Sequence, residues 1–105
     1  MRHFSLLALI LLAAACAPHG APSNPSEALV GRWGDVGNCA QALQFNADST
    51  FVYAGRTGAW TLQGNRLTLS GPAGVAPAEI QWIDRDHMKL TRPDGTMGVS
   101  QRCPA

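Results

Sequence analysis

The chain has 105 residues and a formal net charge of +1, with eight Lys and Arg residues against seven Asp and Glu residues. This length allows one small domain, and the charges of both signs are interspersed rather than gathered into a basic stripe. We therefore expect no nucleic-acid binding and no attachment to a membrane through basic residues.

The first fifteen residues are typical of a secretory signal peptide. Arg2 and His3 give a basic start, an apolar run follows over residues 6–12, and three alanines come before Cys16. The run is too short for a permanent membrane span, which needs about 20 residues. Residues 1–15 are therefore predicted to be removed from the mature protein.

Cys16 follows directly after small residues, an arrangement that resembles a bacterial lipobox, with Ala13 where that motif usually has leucine. The resemblance implies lipidation of Cys16 with diacylglycerol and palmitate. Ala17, in place of an aspartate, then implies sorting to the outer membrane, with the domain facing the periplasm. Ordinary cleavage after Ala15 or Ala17 is the alternative, and it predicts a soluble periplasmic or secreted protein.

Residues 17–28 are rich in Pro, Gly and Ser and have no apolar period. Such a segment buries too little surface to fold, so residues 16–28 are predicted to form a lipidated cysteine and a flexible tether. The folded domain is then expected to cover residues 29–105.

From Leu29 onward, short alternating runs separated by turn signals predict β-strands, without an amphipathic helix of useful length. The strands are expected at Gly31–Trp33, Ala42–Phe45, Thr50–Tyr53, Gly58–Leu62, Arg66–Ser70, Ala78–Ile83, Met88–Thr91 and Thr96–Arg102. Gly64-Asn65 and Pro93-Asp94-Gly95 indicate tight hairpins. Consecutive hairpins favour an all-β, antiparallel up-and-down meander of seven or eight strands, which curls into a small barrel to enclose its apolar face.

The interior of such a barrel holds side chains or one small ligand. We expect it to be filled by Trp33, Leu43, Phe45, Phe51, Trp60, Leu62, Leu67, Leu69, Ile80, Trp82, Met88, Leu90 and Val99. Trp60 and Trp82, with Tyr53 as a polar rim, are candidates to line a binding mouth, although large rings in a small barrel more often fill volume.

Cys39 and Cys103 remain if Cys16 carries lipid, and an oxidising periplasm favours a disulfide between them. Closing a loop of this length stabilises a fold by about 4 kcal/mol in the chain-entropy model. Two free buried thiols are the alternative. A zinc site is not expected, because no Cys-x-x-Cys or close His-Cys spacing occurs.

Gly31-Arg32-Trp33 on the first strand, with Arg102 at the end of the last, resembles the lipocalin and calycin signature. The resemblance implies that the indole closes one barrel end and that the arginine packs across it, a cation–π contact. The domain contains, in order, Gly31-Arg32-Trp33, Cys39, Phe45 or Phe51, Gly58-Ala59-Trp60, Leu67-Thr68-Leu69, Asp94-Gly95 and Arg102-Cys103. In this order of motifs it resembles small bacterial lipoproteins of unassigned function, with Asp48-Ser49 where an Asp-Gly turn is usual. That resemblance implies a fold and no activity.

Leu29 to Trp33, followed by Cys39 and Leu43, is similar to the opening of small periplasmic barrel inhibitors of serralysin-type metalloproteases. In that family an N-terminal segment enters the protease cleft. Here the role would fall on part of residues 17–28.

No known catalytic motif is present, and we expect neither enzymatic activity nor a cofactor. His87 lies beside Asp84 and Asp86, where it could serve as a metal ligand or a general base. A solvated turn rich in charge explains the same residues, so no metal site and no catalytic residue is predicted.

The sequence thus predicts a monomeric envelope lipoprotein that meets the membrane through its N-terminal lipid. Its barrel is expected to bind a small apolar ligand or an envelope protein. The alternatives are an inhibitor of a protease or another hydrolase, and a structural envelope lipoprotein without a ligand.

Overall fold

Eight antiparallel strands account for most of residues 22–104, the part of the chain that the computed structural model describes. They are β1 (Gly31–Asp35), β2 (Asn38–Phe45), β3 (Thr50–Tyr53), β4 (Arg56–Gln63), β5 (Arg66–Gly71), β6 (Gly74–Asp84), β7 (His87–Thr91) and β8 (Met97–Cys103). A short helix, α1 (Pro25–Leu29), precedes β1. The predicted signal peptide and the lipidation of Cys16 lie outside the described residues.

Each strand pairs with the next one along the chain, and β8 pairs with β1 to close the barrel. The closing register runs from Arg32 opposite Cys103 to Asp35 opposite Ser100. The predicted all-β, up-and-down barrel is confirmed, with eight strands, and this architecture is compatible with a lipocalin-like fold.

The up-and-down order gives the barrel two distinct ends. The helix end carries α1, the end of β8 and the connections 46–49, 64–65 and 85–86. The loop end carries the connections 36–37, 54–55, 72–73 and 92–96. Both termini of the described chain therefore lie at the helix end.

The core contains nearly all of the side chains that the alternating pattern predicts. The buried members are Leu29, Trp33, Phe45, Trp60, Leu67, Ile80, Trp82 and Met88, with Leu43, Phe51, Leu62, Leu69 and Leu90 packed partly buried against them. The prediction for Val99 is wrong, because its side chain is 39% exposed. Trp33 pairs with Arg102 on the interior face, so Val99, an odd number of residues away, faces solvent.

The tether prediction is wrong for Pro25 to Ala28, which belong to α1. Asn24 caps this helix, since its side-chain oxygen accepts a hydrogen bond from the Glu27 backbone N–H at 3.3 Å. Pro25 occupies the first turn, where its missing N–H costs nothing. The helix ends at Leu29, whose side chain is 0% exposed and joins the core.

Candidate functional site

The helix end is closed by a contact between Arg102 and Trp33. The guanidinium carbon of Arg102 lies 4.5 Å from the centroid of the indole ring. The two residues are paired across β1 and β8, so their side chains project from the same face of the sheet. The structure thus brings together the tryptophan and the arginine of the lipocalin-like signature.

Arg102 also joins the barrel to α1 and to the connection between β6 and β7. Its Nη1 atom donates a hydrogen bond to the carbonyl of Val30 at 3.1 Å, and Nη2 donates to the carbonyl of Ala28. Nη2 also donates to the carbonyl of Arg85 at 3.0 Å, and Nε donates to Asp86 Oδ1 at 3.1 Å. One guanidinium group therefore connects three separate parts of the chain.

The carbonyl groups at the C-terminal end of α1 obtain their partners from this cluster. The indole N–H of Trp33 donates to the carbonyl of Leu29 at 2.8 Å, and Leu29 lies between Ala28 and Val30, whose carbonyls accept from Arg102. Carbonyls at a helix end have no partner within the helix, so such donors fix its position.

Gly31 makes room for the guanidinium group. Its φ is +132°, a conformation that side chains strongly disfavour. A Cβ atom at this position would lie 3.0 Å from Arg102 Nη1. Both the backbone conformation and the space therefore require glycine in the Gly-x-Trp motif.

The predicted disulfide joins Cys39 and Cys103, with a Cα–Cα distance of 5.9 Å, and the alternative of two free thiols does not hold. Because these cysteines belong to β2 and β8, the bond crosses β1, which lies between them. A Cβ atom on Gly34 would lie 2.7 Å from the Asn38 carbonyl oxygen and 3.0 Å from Cys103 Sγ. Gly34 therefore provides the space through which the bond passes.

Trp60 and Trp82 lie in the filled interior of the barrel. Trp60 packs edge-to-face against Phe45 with ring centroids 5.7 Å apart, and Trp82 packs in the same way against Trp33 at 5.8 Å. The indole N–H of Trp60 donates to the carbonyl of Asn46 at 3.1 Å. Both indoles therefore serve as packing groups.

Tyr53, the third candidate for a binding mouth, lies elsewhere. It ends β3 at the loop end, and its side chain is 41% exposed. Below it, Phe51 packs against Gly58, where a Cβ atom would lie 2.4 Å from the ring. The Trp60 indole, by contrast, bonds to Asn46 in a connection of the helix end.

The His87 side chain contacts the carboxylate of Asp84 at the barrel surface. Its Nδ1 atom lies 2.8 Å from Asp84 Oδ1 and 3.0 Å from Oδ2. Within residues 22–104, no group of three or more His, Cys, Asp or Glu side chains is arranged to hold a metal ion. Glu79, another acidic residue of β6, pairs with Arg66 at 3.2 Å.

Three exposed aspartates in turns have lowered pKa values. The pKa of Asp48 is lowered mainly by the hydroxyl group of Thr50, and the pKa of Asp94 by that of Thr96. The pKa of Asp84 is lowered mainly by its hydrogen bond with His87. Hydrogen bonds to an ionised carboxylate favour the charged form, so these turns are formed most completely above the ordinary aspartate pKa.

Several depressions surround α1 at the helix end, and they are open to solvent. One of about 520 Å³ lies between residues 22–28 and the pair Asp84 and Arg85. A second, of about 490 Å³, lies between α1 and the neighbourhood of Trp60. These depressions are formed by the outer surface and by α1.

The loop end differs from the helix end in its exposed apolar side chains. Val36, Tyr53, Val75 and Met97 all lie in or beside its connections, with exposed fractions from 41% to 69%. Ile83 is the exposed large apolar residue beside the connection 85–86 at the helix end. Charged side chains dominate there instead, among them Glu27, Asp48, Arg66, Glu79, Asp84, Arg85, Asp86 and His87.

The comparisons with known proteins do not add to this description: no protein-family model matches the chain, and no curated protein matches it. Between residues 22 and 104, no helix combines the length and the apolar character that crossing a membrane requires.

Proposed function

We propose that this chain is a cell-envelope lipoprotein whose barrel recognises another envelope component through its outer surface, without enzymatic activity. The observation that carries the proposal is the filled interior. Trp33, Trp60 and Trp82 occupy it with edge-to-face contacts, and the indole N–H groups of Trp33 and Trp60 donate hydrogen bonds to backbone carbonyls. That packing supports surface recognition over storage of an apolar ligand, because binding pockets are concave and mostly preformed.

The proposed anchor is a lipid on Cys16, which would hold the protein at the periplasmic face of the outer membrane. Cys16 stands six positions before Pro22, the first described residue. Six residues span at most about 20 Å, so the helix end would lie close to the membrane. The loop end would then point away from the membrane.

This orientation makes the loop end the proposed recognition surface. Its exposed apolar side chains, Val36, Tyr53, Val75 and Met97, provide the chemistry for a protein partner, since aromatic residues and methionine are enriched at protein interfaces. The helix end is less suitable, because α1 and Arg102 fix its backbone groups in internal hydrogen bonds.

Inhibition of a protease by an inserted N-terminal segment receives less support. Pro25 to Leu29 form a helix, and Leu29 is fully buried. An inhibitory segment would have to come from residues before Pro25 or unfold α1.

Two measurements on protein purified from its own envelope test the proposal. Mass spectrometry of the mature N-terminus should find Cys16 carrying the lipid, whereas an unmodified terminus contradicts the anchor. Native mass spectrometry should find a co-purifying protein. A co-purifying small apolar molecule would instead favour an internal ligand.

A pair of variants tests the loop end as the recognition surface. Replacing Val36 and Met97 together with aspartate should abolish co-purification of the partner. Ile83→Asp is the matched control at the helix end, since Ile83 is 49% exposed, and it should leave the partner bound. Equal loss in both variants would contradict the proposed surface.

A further inference from the structure

Part of β6 is paired with a neighbouring strand on one side only, as are residues 38–43 of β2. β5 pairs with β6 from Gly74 to Glu79, whereas β7 pairs with β6 only from Glu79 onward. Within residues 22–104, residues 74–78 therefore have β5 on one side and no paired strand on the other. Residues 74–77 are also exposed, and we call this stretch the free edge of β6.

The register shows which backbone groups point outward at the free edge. The backbone N–H of Ile80 donates to the carbonyl of Asn65, on the β5 side, at 2.7 Å. Hydrogen-bonding direction alternates along an antiparallel strand, so Ala76 and Ala78 also face β5. Val75 and Pro77 then point their backbone groups away from the barrel.

An exposed edge of this kind is a template for a second strand, and two copies of the same chain are the simplest partners. In a twofold antiparallel pairing centred on Ala76, Val75 of each copy lies opposite Pro77 of the other. The N–H of Val75 can donate to the opposite carbonyl, but Pro77 has no N–H to return the bond. Each of the two Val75–Pro77 pairs would otherwise form two hydrogen bonds, so proline removes two of these four bonds.

We propose that Pro77 keeps the free edge of β6 from pairing with a second copy of this chain. Proline on the outward-facing side of an edge strand costs the barrel no internal hydrogen bond, because the missing N–H would point to solvent. The same residue one position earlier or later would remove a bond to β5. At its actual position, Pro77 hinders association with a second copy and leaves the hydrogen bonds between β5 and β6 intact.

The test compares oligomeric states of the chain from Ala17 to Ala105, which retains all of the described residues. Pro77→Thr should form a dimer whose dissociation constant is at least about tenfold lower than that of the unaltered chain, since two hydrogen bonds are regained. Sedimentation across a range of concentrations measures the change. Pro104→Thr, a matched control outside the strands, should remain monomeric.

Restoring proline on the same edge provides a second check. Val75→Pro combined with Pro77→Thr should return the protein to a monomer, because Val75 is the other residue facing outward. A folded Pro77→Thr variant that stays monomeric, or a double variant that stays dimeric, would overturn the proposal.

Amide exchange of the unaltered chain tests the direction of the backbone groups independently of any variant. The Val75 N–H should exchange rapidly, while those of Ala76 and Ala78 should be protected by β5. Slow exchange at Val75 would show that the free edge is already paired and would also overturn the proposal.

Discussion

At the scale of single residues, Arg102 combines roles that other cations do not reproduce. Its flat guanidinium group covers the Trp33 ring and also donates to three carbonyls and to Asp86. A lysine has a compact ammonium group that cannot stack and donate in several directions in one plane.

Arg102→Lys is therefore expected to destabilise the barrel by about 3 kcal/mol, the sum of a cation–π contact and charged hydrogen bonds. Urea unfolding measures the loss, and near-ultraviolet circular dichroism should report a change in tryptophan packing. The control is Arg56→Lys, at an exposed position of β4, for which we expect the free energy of unfolding to change by less than about 0.5 kcal/mol. A similar small change at Arg102 would contradict the role assigned to its planar group.

Ser49 has a backbone conformation that is unfavourable for its side chain. Its φ is +68°, in the left-handed region that favours glycine. The connection between β2 and β3 requires this conformation, because the Ser49 carbonyl accepts a hydrogen bond from the Trp60 N–H at 2.9 Å.

Ser49→Gly is expected to stabilise the protein by about 1 kcal/mol, since glycine adopts positive φ without a steric penalty. Thermal unfolding should show the rise. Ser49→Ala is the matched control: it removes the hydroxyl group but keeps the Cβ atom, so it should bring no gain. Equal stabilisation by alanine would mean that backbone conformation is not the cause.

At the scale of elements, aspartates in the turns make the free energy of unfolding depend on pH. In the last hairpin, Asp94 Oδ1 accepts hydrogen bonds from the Thr96 N–H at 2.9 Å and from its hydroxyl group at 2.7 Å. These bonds lower the pKa of Asp94 in the folded state, so the unfolded state binds more protons below its own pKa. The stabilisation is complete above about pH 4 and is lost as the pH falls toward the folded pKa.

Thr96→Val removes the hydroxyl donor and should reduce the loss of stability that occurs as the pH falls below about 4. Urea unfolding at a series of pH values measures the slope of the free energy of unfolding against pH. Thr57→Val, in exposed β4, replaces a threonine that does not contact these aspartates and should leave the slope unchanged. If both variants keep the slope of the unaltered protein, the Thr96 hydroxyl group does not supply the effect.

The strands and hairpins could be predicted because turn residues mark their ends. Gly64-Asn65 separates β4 from β5, and Asp94-Gly95 separates β7 from β8. The helix α1 escaped prediction because five residues are too short for an apolar period. Its start signal is nevertheless present, as Asn24 followed by Pro25 and Glu27 is the pattern of a capped first turn.

The prediction for Val99 is wrong because it considers only that the residue is apolar. It does not take into account which face of β8 the side chain lies on. The lipocalin-like resemblance already implied that Arg102 packs across Trp33 and faces inward. Val99 lies three residues earlier on the same strand and must then face outward, beside Lys89 on β7. An apolar residue alone does not establish which face of a strand is buried.

At the scale of the whole molecule, the Cys39–Cys103 bond could be predicted because the chain has only three cysteines, and the contact between Trp33 and Arg102 is implied by the lipocalin-like resemblance. The edge-to-face packing of Trp60 and Trp82 against neighbouring rings could not be predicted. Whether large rings surround a cavity or fill it depends on how neighbouring rings meet, as Phe45 meets Trp60. Sequence order carries no information on that packing.

The disulfide connects the beginning of β2 to the end of β8, and its cysteines are 64 positions apart in the sequence. Reduction should lower the free energy of unfolding by about 4 kcal/mol, because the unfolded chain regains the freedom that the closed loop removes. Urea unfolding with and without reductant measures the difference. A double variant with serine at Cys39 and Cys103 should have the same free energy of unfolding as the reduced protein, with or without reductant. A change in its stability on adding reductant would contradict the assignment.

The position of both described termini at the helix end has a consequence for chain connectivity. Arg102 holds the carbonyl of Ala28, and Arg32 Nη1 donates to the carbonyl of Pro104 at 3.0 Å, so the N-terminal and C-terminal segments are bonded to one small region. A short peptide joining them would produce a circular permutant with new termini between Ala54 and Gly55. The barrel would keep all of its strand pairs, and a reporter fused to the new termini would be attached at the loop end.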